Sequence, residues 1–266
     1  THAGTYYLVD GEGWINASDL SRIDNRIEAV QKVLNEKYNN QERISVYVKQ
    51  LDTDRVAAIN DEKSMYAASV AKLGVLYYAQ ERLSQKKLSL SDEYQYTSAV
   101  NGFPGAYDPD GSGKISKMPD DKNYSLENLL KAVAQNSDNV ATNILGYYVT
   151  NQYDKAFQKS VDKAAATSWN MDKKELTARA AGTLMEAVYR QNGDIITYLS
   201  STDYDGERIS KNIDVPVAHK IGDAYDFKHD VAIVYADSPF ILSIFTDKEG
   251  YDKITSIADD VYGILK

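Results

Sequence analysis

A serine and a lysine three residues apart, Ser69 and Lys72, lie at the start of an apolar stretch. A serine hydroxyl is a weak nucleophile at neutral pH and needs a neighbouring base to take its proton. Residues i and i+3 of a helix share one face, so we expect the Lys72 amine beside the Ser69 hydroxyl. The amine can accept a proton only when neutral, and burial beside a second cation would lower its pKa. Ser69 and Lys72 are therefore candidates for a nucleophile and its base.

Two more short motifs follow in the chain. A Ser-Asp-Asn sequence at 137–139 comes after a helical run, and alone it is best explained as a polar turn that caps the next helix. A Lys-Ile-Gly sequence at 220–222 fits a strand edge, where Gly222 would let a substrate approach the backbone. Ser137 could relay a proton, and Lys220 could be the cation that lowers the pKa of Lys72.

The same Ser-x-x-Lys spacing occurs at two other places, Ser84/Lys87 and Ser160/Lys163. Both pairs lie in polar, lysine-rich stretches, which is typical of a solvated helix face. It is the order of the three motifs together with the apolar helix after Ser69, and not any motif alone, that predicts an acyl-transfer site.

The composition excludes several other kinds of chemistry. The chain has 266 residues, no cysteine and three histidines. Disulfides and thiol catalysis are excluded, and neither a metal site nor another cofactor is indicated. The net charge of −9 argues against a nucleic-acid partner and against docking on anionic membranes. No apolar run approaches the roughly 20 residues that span a bilayer.

Hydrophobic periodicity places strands towards both ends of the chain and helices in the middle. Helices are predicted over residues 21–38 and 253–265, and between about 69 and 200 the pattern is almost wholly helical. Strands are predicted at the segments 44–51, 56–59, 215–221, 231–235 and 240–245. We therefore expect an α/β fold of α+β type: an antiparallel sheet flanked by N- and C-terminal helices, with a helical lobe inserted between the second and third strands.

Two segments are predicted along the chain. Residues 21–266 should form one domain, with an α/β lobe over 21–68 and 211–266 and a helical lobe over 69–210. Residues 1–20 have the pattern of strand, Asp-Gly turn and strand. They resemble the closing hairpin of GW or bacterial SH3-like modules, which bind cell-wall polymers; a plain leader hairpin is the alternative.

Taken together, the three motifs resemble those of the penicillin-recognising serine hydrolases, most closely the class A β-lactamase branch. The segments 110–115, 124–130 and 137–145 are similar to the region around that branch's second motif. The resemblance covers about residues 44–265. It implies a β-lactamase/transpeptidase-like fold and an acyl-enzyme formed with β-lactam or D-Ala-D-Ala-type substrates.

The resemblance also implies a role for each matching residue. Ser69 would be the acylated nucleophile, Lys72 its base, and Ser137 the relay of the proton to the leaving nitrogen. Asn139 would hydrogen-bond the substrate amide and Lys72, while Lys220 would attract the substrate carboxylate.

Two further residues take their roles from the same resemblance. Asp223 follows Gly222, and its backbone N–H would form the oxyanion hole together with that of Ser69. Asp138 would be structural.

The sequence departs from the class A pattern in the loop that carries the water-activating glutamate, a Glu-x-x-Leu-Asn motif. That loop looks shortened here, and the nearest equivalent places Lys173 at the glutamate and Thr177 at the asparagine. Asp172 and Glu175 are the candidates to replace this base, although they are better interpreted as solvated charges at a helix start. Without a general base for water, deacylation would slow by roughly 10²–10⁴-fold.

A second departure lies in the third motif, where threonine or serine normally helps to bind the substrate carboxylate. Ile221 has no hydroxyl, which leaves Lys220 to bind the carboxylate alone or indicates a different substrate. Three readings follow: an acyl-serine hydrolase that turns over β-lactams slowly, a true β-lactamase with a substitute base, and a non-catalytic cell-wall-binding protein.

The resemblance further predicts the setting. We expect a bacterial, extracellular or cell-surface protein, monomeric, whose partners are a small-molecule or peptidoglycan-stem substrate and, through residues 1–20, a cell-wall polymer.

Overall fold

The computed structural model describes residues 6–9, 13–16 and 24–266. Its largest sheet has five antiparallel strands in the order β4-β3-β11-β10-β9. These strands are β3 (Ile44–Gln50), β4 (Val56–Ile59), β9 (Val217–Ala224), β10 (Phe227–Val234) and β11 (Phe240–Asp247). The predicted fold class is confirmed, because β9 follows β4 only after a long helical segment.

Eight α-helices lie in the described residues. They are α1 (Arg26–Lys37), α2 (Leu73–Ser84), α3 (Leu126–Asn136), α4 (Asn139–Tyr148), α5 (Lys155–Ala165), α6 (Ala178–Gln191), α7 (Asp194–Leu199) and α8 (Tyr251–Leu265). A 3-10 helix, Ala68–Lys72, runs directly into α2, and shorter ones span Ser98–Asn101 and Ser210–Asn212.

The side chains of the central strands alternate between two hydrophobic cores, as the two-residue period of a strand requires. Ala232 and Val234 of β10 pack in the core with α1 and α8, whereas Val231 and Ile233 pack in the core with the helical lobe. Both faces of the sheet are thus covered, and the helical lobe lies against β9, β10 and β11 through α6 and the Ala68–Lys72 helix.

The start of α2 is held by a buried tryptophan. The indole N–H of Trp169 donates a hydrogen bond to the carbonyl of Ala71 at 3.1 Å. The same ring lies so close to Gly74 that a Cβ there would come within 2.6 Å of its nitrogen. Glycine at this position therefore lets the indole reach the backbone next to the Ser69–Lys72 turn.

Most predicted boundaries agree with the structure to within two to four residues. The first helix begins at Arg26, and residues 21–23 of its predicted span lie outside the described residues. The predicted N-terminal hairpin pairs β1 (Tyr6–Val9) with β2 (Gly13–Asn16) in antiparallel register, and its predicted turn also lies outside the described residues.

Two short ladders were not expected from the sequence. One joins β5 (Met65–Tyr66) to β8 (Glu175–Leu176), and the other joins β6 (Glu93–Gln95) to β7 (Asn123–Ser125). Strands of two or three residues are too short to show a period.

None of the helices described here has the length and apolar character needed to cross a membrane.

A buried ion pair joins β9 to β10 directly behind the lysine of the third motif. His219 Nδ1 lies 3.0 Å from both carboxylate oxygens of Asp230, and its Nε2 lies 3.1 Å from Asp205. Burial by itself would lower the pKa of His219, but the two carboxylates outweigh it and raise this pKa to about 9. The imidazolium is therefore the form that the folded protein stabilises.

This pair predicts how stability depends on pH. The folded pKa of His219, about 9, exceeds its ordinary value of 6.5. Its contribution to stability is therefore complete below pH 6.5 and is lost as the pH rises through 9. We expect the stability advantage of the wild type over His219→Gln to shrink by about 3 kcal/mol over this range, as 1.36 kcal/mol per pKa unit implies.

Urea unfolding of both proteins at matched pH values measures the difference. Comparing the two proteins at each pH cancels the other titrating groups, including buried lysines whose contributions run in the opposite direction. A difference that stays constant from pH 6.5 to 10 would contradict a charged His219.

Candidate active site

Ser69 lies in the Ala68–Lys72 helix and lines a cavity of about 240 Å³. The backbone on its N-terminal side is strained, since Ala68 has a φ of +50°. The Tyr107 hydroxyl donates to the Ala68 carbonyl at 3.3 Å, and the N–H of Ala67 donates to the Lys174 carbonyl at 2.7 Å. These two contacts hold the turn in the conformation that presents Ser69 to the cavity.

The Lys72 side chain is fully buried, and its amine is held mainly by the second motif. Lys72 Nζ donates to the carbonyl of Ser137 and to Oδ1 of Asn139, both at 2.6 Å. It also lies 3.4 Å from Ser137 Oγ and 4.5 Å from the centre of the Tyr107 ring. The bond expected between Asn139 and Lys72 is thus present.

The contact predicted between the Ser69 hydroxyl and the Lys72 amine is not formed. In the described part of the chain, the Lys72 amine makes no hydrogen bond to the Ser69 hydroxyl, although i and i+3 eclipse on a 3-10 helix. The long lysine side chain instead extends past Ser69 to acceptors on the Ser137–Asn139 turn. A proton would pass from Ser69 to Lys72 only after a small movement of one of the two groups or through another hydroxyl.

Ser137 lies between the amines of two lysines from different lobes. It is buried in a left-handed conformation at the end of α3, with a φ of +54°. Lys220 Nζ, from β9, donates to Ser137 Oγ at 2.8 Å and to the carbonyl of Ile221 at 3.1 Å. The hydroxyl therefore connects Lys220 to Lys72, the geometry needed for a proton relay.

Burial lowers the pKa of both amines. Burial, followed by the charge of Lys220, holds the pKa of Lys72 well below its ordinary value. Burial likewise lowers the pKa of Lys220 to about 7, against an opposing effect of the Asp230 carboxylate. The neutral amine that a general base requires is therefore accessible at Lys72.

Asp138 and Asn139 hold the glycine-rich loop against the site. The Asp138 carboxylate caps α4 by accepting from the N–H of Ala141, and it also accepts from the N–H groups of Lys114 and Ile115. Asn139 Nδ2 donates to the carbonyl of Asp108 at 2.8 Å. The polar groups of this motif therefore serve both as a helix cap and as anchors for the loop.

Gly222 has a packing role that the sequence did not indicate. A Cβ at this position would come within 2.6 Å of the carbonyl oxygen of Ala67. Glycine here lets β9 approach the strained turn before Ser69, rather than leaving open space for a substrate. The Asp223 side chain turns to Arg208 at 2.7 Å and Lys228 at 2.6 Å, while the residue lines the same cavity as Ser69.

The loop equivalent to the one with the water-activating glutamate brings a lysine to the cavity. Lys174 lines it, whereas Lys173, the residue that the motif places at the glutamate, is exposed. Asp172 and Glu175 are also exposed and do not line it. The motif spacing thus selected the exposed neighbour of the lysine that lines the cavity.

Two carboxylates line the cavity among the residues that the structure describes, Asp108 and Asp223. Asp223 is paired with Arg208 and Lys228, and Asp108 Oδ1 accepts from the N–H of Asp110 at 3.0 Å. Asp108 is therefore the carboxylate with remaining capacity to accept a proton from water.

A second cavity continues the cleft on the Lys220 side. It shares Ser112 and Asp223 with the first and is also lined by Ile221 and Arg208. The Arg208 guanidinium lies 3.8 Å over the Tyr251 ring, and its Nε has no hydrogen-bond partner. Arg208 belongs to none of the three motifs, so nothing in the sequence pattern predicted its place in the cleft. Nowhere in residues 6–9, 13–16 and 24–266 do three or more metal-ligating side chains cluster.

A five-stranded antiparallel sheet with an inserted helical lobe, and a serine in the cleft near two buried lysines, define a penicillin-recognising serine hydrolase. The sequence matches the model of the β-lactamase enzyme family over residues 25–265, and the chain belongs to that family. No curated protein sequence gives a match.

Solved structures with the same fold have low sequence identity to this chain. PBP-A has a TM-score of 0.72 at 15% identity, covering 91% of this chain and 96% of that one. The TLA-3 extended-spectrum β-lactamase has a TM-score of 0.72 at 17% identity, covering 91% of this chain and 98% of that one. A β-lactamase from Sphaerobacter thermophilus has a TM-score of 0.68 at 15% identity, covering 91% of this chain and 96% of that one.

The packing at Gly222 predicts a large cost for one methyl group. Gly222→Ala should lower the free energy of unfolding by about 2 kcal/mol, because overpacking forces the Ala67 carbonyl and β9 apart. Gly263→Ala is the matched control, since Gly263 is exposed in α8 with open space around it. The free energy of unfolding of that variant should rise by up to about 1 kcal/mol, because alanine has a higher helix propensity than glycine. Chemical denaturation measures both, and an equal effect of the two substitutions would refute the close approach.

Proposed function

We propose that this protein is an acyl-serine hydrolase or acyl-transferase in which Ser69 forms an acyl-enzyme with β-lactams and with peptides that end in D-Ala-D-Ala. The observation that carries the proposal is the Ser137 hydroxyl, which joins two buried lysines of lowered pKa beside the Ser69 cavity. A cell-wall-binding protein without activity has no use for such an arrangement.

In the proposed acylation, neutral Lys72 takes the proton of Ser69 as its Oγ attacks the substrate carbonyl. The carbonyl oxygen becomes negative and is stabilised by the backbone N–H groups of Ser69 and Asp223. The carbon–nitrogen bond then breaks, and the nitrogen takes the Ser137 proton, which Lys72 or Lys220 replaces. Asn139 Nδ2 would turn from Asp108 to the substrate amide.

The second half of the reaction, hydrolysis of the acyl-enzyme, is expected to be slow. A general base for water contributes about 10²–10⁴-fold, and the loop that would provide it presents Lys174. A variant of PBP-A, which shares the fold at 15% identity, has been solved as an acyl-enzyme with penicillin G. A long-lived adduct of the same kind is proposed here.

The setting proposed for this activity is the outside of a bacterial cell, on the peptidoglycan stem peptide, with the protein acting as a monomer. This rests on the class of substrate that the acyl-serine site would take. Residues 1–20 would add contacts to a cell-wall polymer.

A true β-lactamase is the second candidate, because Asp108 lines the cavity with free acceptor capacity. The two candidates differ only in whether a carboxylate activates water after acylation.

Acylation is tested by intact-mass spectrometry after incubation with benzylpenicillin. We expect one adduct on the wild type and none on Ser69→Ala, because Ser69 Oγ forms the ester bond. Ser160→Ala is the control, since that serine has the same Ser-x-x-Lys spacing and lies away from the cavity. An adduct that persists on Ser69→Ala, or no adduct with no β-lactam consumed, would overturn the proposal.

The decay of the adduct separates the two candidates. After excess benzylpenicillin is removed, the Asp108→Asn variant should lose its adduct at the wild-type rate, with Asp110→Asn as the exposed control. If Asp108→Asn alone slows the decay by roughly 10²-fold or more, Asp108 is a base for water and the protein is a β-lactamase.

A further inference from the structure

Lys174 is the cation of the Ser69 cavity that the proposed acylation does not use. Only 6% of its surface is exposed, and it lines the cavity together with Ser69 and Tyr107. Its backbone carbonyl accepts from the N–H of Ala67, two residues before the nucleophile. The backbone of Lys174 is thereby tied to the turn that carries Ser69.

The amine has more donors than the protein satisfies. Lys174 Nζ donates to the carbonyl of Gly105 at 3.0 Å and lies 4.5 Å from the centre of the Tyr107 ring. No carboxylate of the described residues forms an ion pair with it. An ammonium group carries three N–H donors, so two remain for a group in the cavity. A mostly buried cation without an ion-pair partner is costly unless a ligand offsets the cost.

Lys174 and Arg208 lie in different parts of the cleft. Lys174 lines the cavity with Ser69 and not the second cavity, whereas Arg208 lines the second cavity, beside Ile221, and not the first. Ser137 and Lys220, which would deliver the proton to the leaving nitrogen, do not line the Ser69 cavity. A substrate whose leaving group points towards Ser137 therefore places its acyl group on the side of Lys174.

We propose that Lys174 is a specificity residue that binds a carboxylate carried by the acyl group of the substrate, close to the carbonyl that Ser69 attacks. The inference rests on the proposed acyl-serine function and adds the chemical class of the acyl donor. The carboxylate would take the two remaining N–H donors of the amine, and hydrogen bonds between opposite charges are stronger than neutral ones.

A matched pair of penicillins tests this directly. Carbenicillin is benzylpenicillin with one additional carboxylate on its acyl group, so the pair isolates the charge. We expect the wild type to be acylated faster by carbenicillin, and Lys174→Met to lower the carbenicillin-to-benzylpenicillin ratio of second-order acylation rate constants roughly tenfold. Lys174→Arg, which keeps the charge, should retain most of the preference. Lys173→Met, at the exposed neighbour, should not change it.

A second arm does not depend on acylation. Calorimetric titration of Ser69→Ala, with and without Lys174→Met, measures the binding of the two penicillins, and circular dichroism shows that each variant is folded. If neither penicillin acylates the wild type but Lys174→Met still removes a binding preference for carbenicillin, the proposed function fails, while the role of Lys174 in binding a carboxylate holds. The inference is overturned if Lys174→Met weakens the acylation by, or the binding of, both penicillins equally. A change in the charge around Lys72 would have that effect. Failure of both penicillins to bind also overturns the inference.

Discussion

The amines of Lys72 and Lys220 are buried on either side of one hydroxyl, 3.4 and 2.8 Å from Ser137 Oγ. Two positive charges this close repel strongly where water is excluded. The arrangement of lowest free energy leaves at least one amine neutral. Burial together with the charge of Lys220 lowers the pKa of Lys72, so Lys72 is the amine that loses its proton. A neutral lysine near a serine can act as a base, and so the chemistry of the site follows first from the burial of Lys72 and then from the charge of Lys220.

The architecture holds the two amines together at several points. Lys72 belongs to the helical segment that begins α2, and Lys220 belongs to β9, so the pair forms only where the two lobes meet. Glycine at 222 permits the contact between β9 and the Ser69 turn, and Trp169 fixes the other end of that turn. Asp138 in turn anchors the loop that covers the second motif.

The sequence predicted the parts of this arrangement that have a local signal. The long strands and helices have clear periods, and the three motifs identified Ser69, Lys72, Ser137 and Lys220. The partner of the Lys72 amine was only partly foreseen, because the direction of a long side chain depends on where Ser137 lies in space. Lys174 and Arg208 could not be recognised, since each becomes part of the cleft only through contacts between distant segments. The packing of Gly222 was not foreseen for the same reason: its neighbour, Ala67, is remote in the chain.

The central claim is that burial and the charge of Lys220 hold the pKa of Lys72 well below its ordinary value, and lysine titration by nuclear magnetic resonance tests it most directly. The protein would be labelled with carbon-13 at the lysine Cε positions, and the Lys72 and Lys220 signals assigned from the Lys72→Met and Lys220→Met variants. The account predicts that Lys72 titrates well below 10.5 and that Lys220 titrates near 7. A Lys72 signal that titrates at its ordinary pKa, as a solvated lysine does, would contradict it.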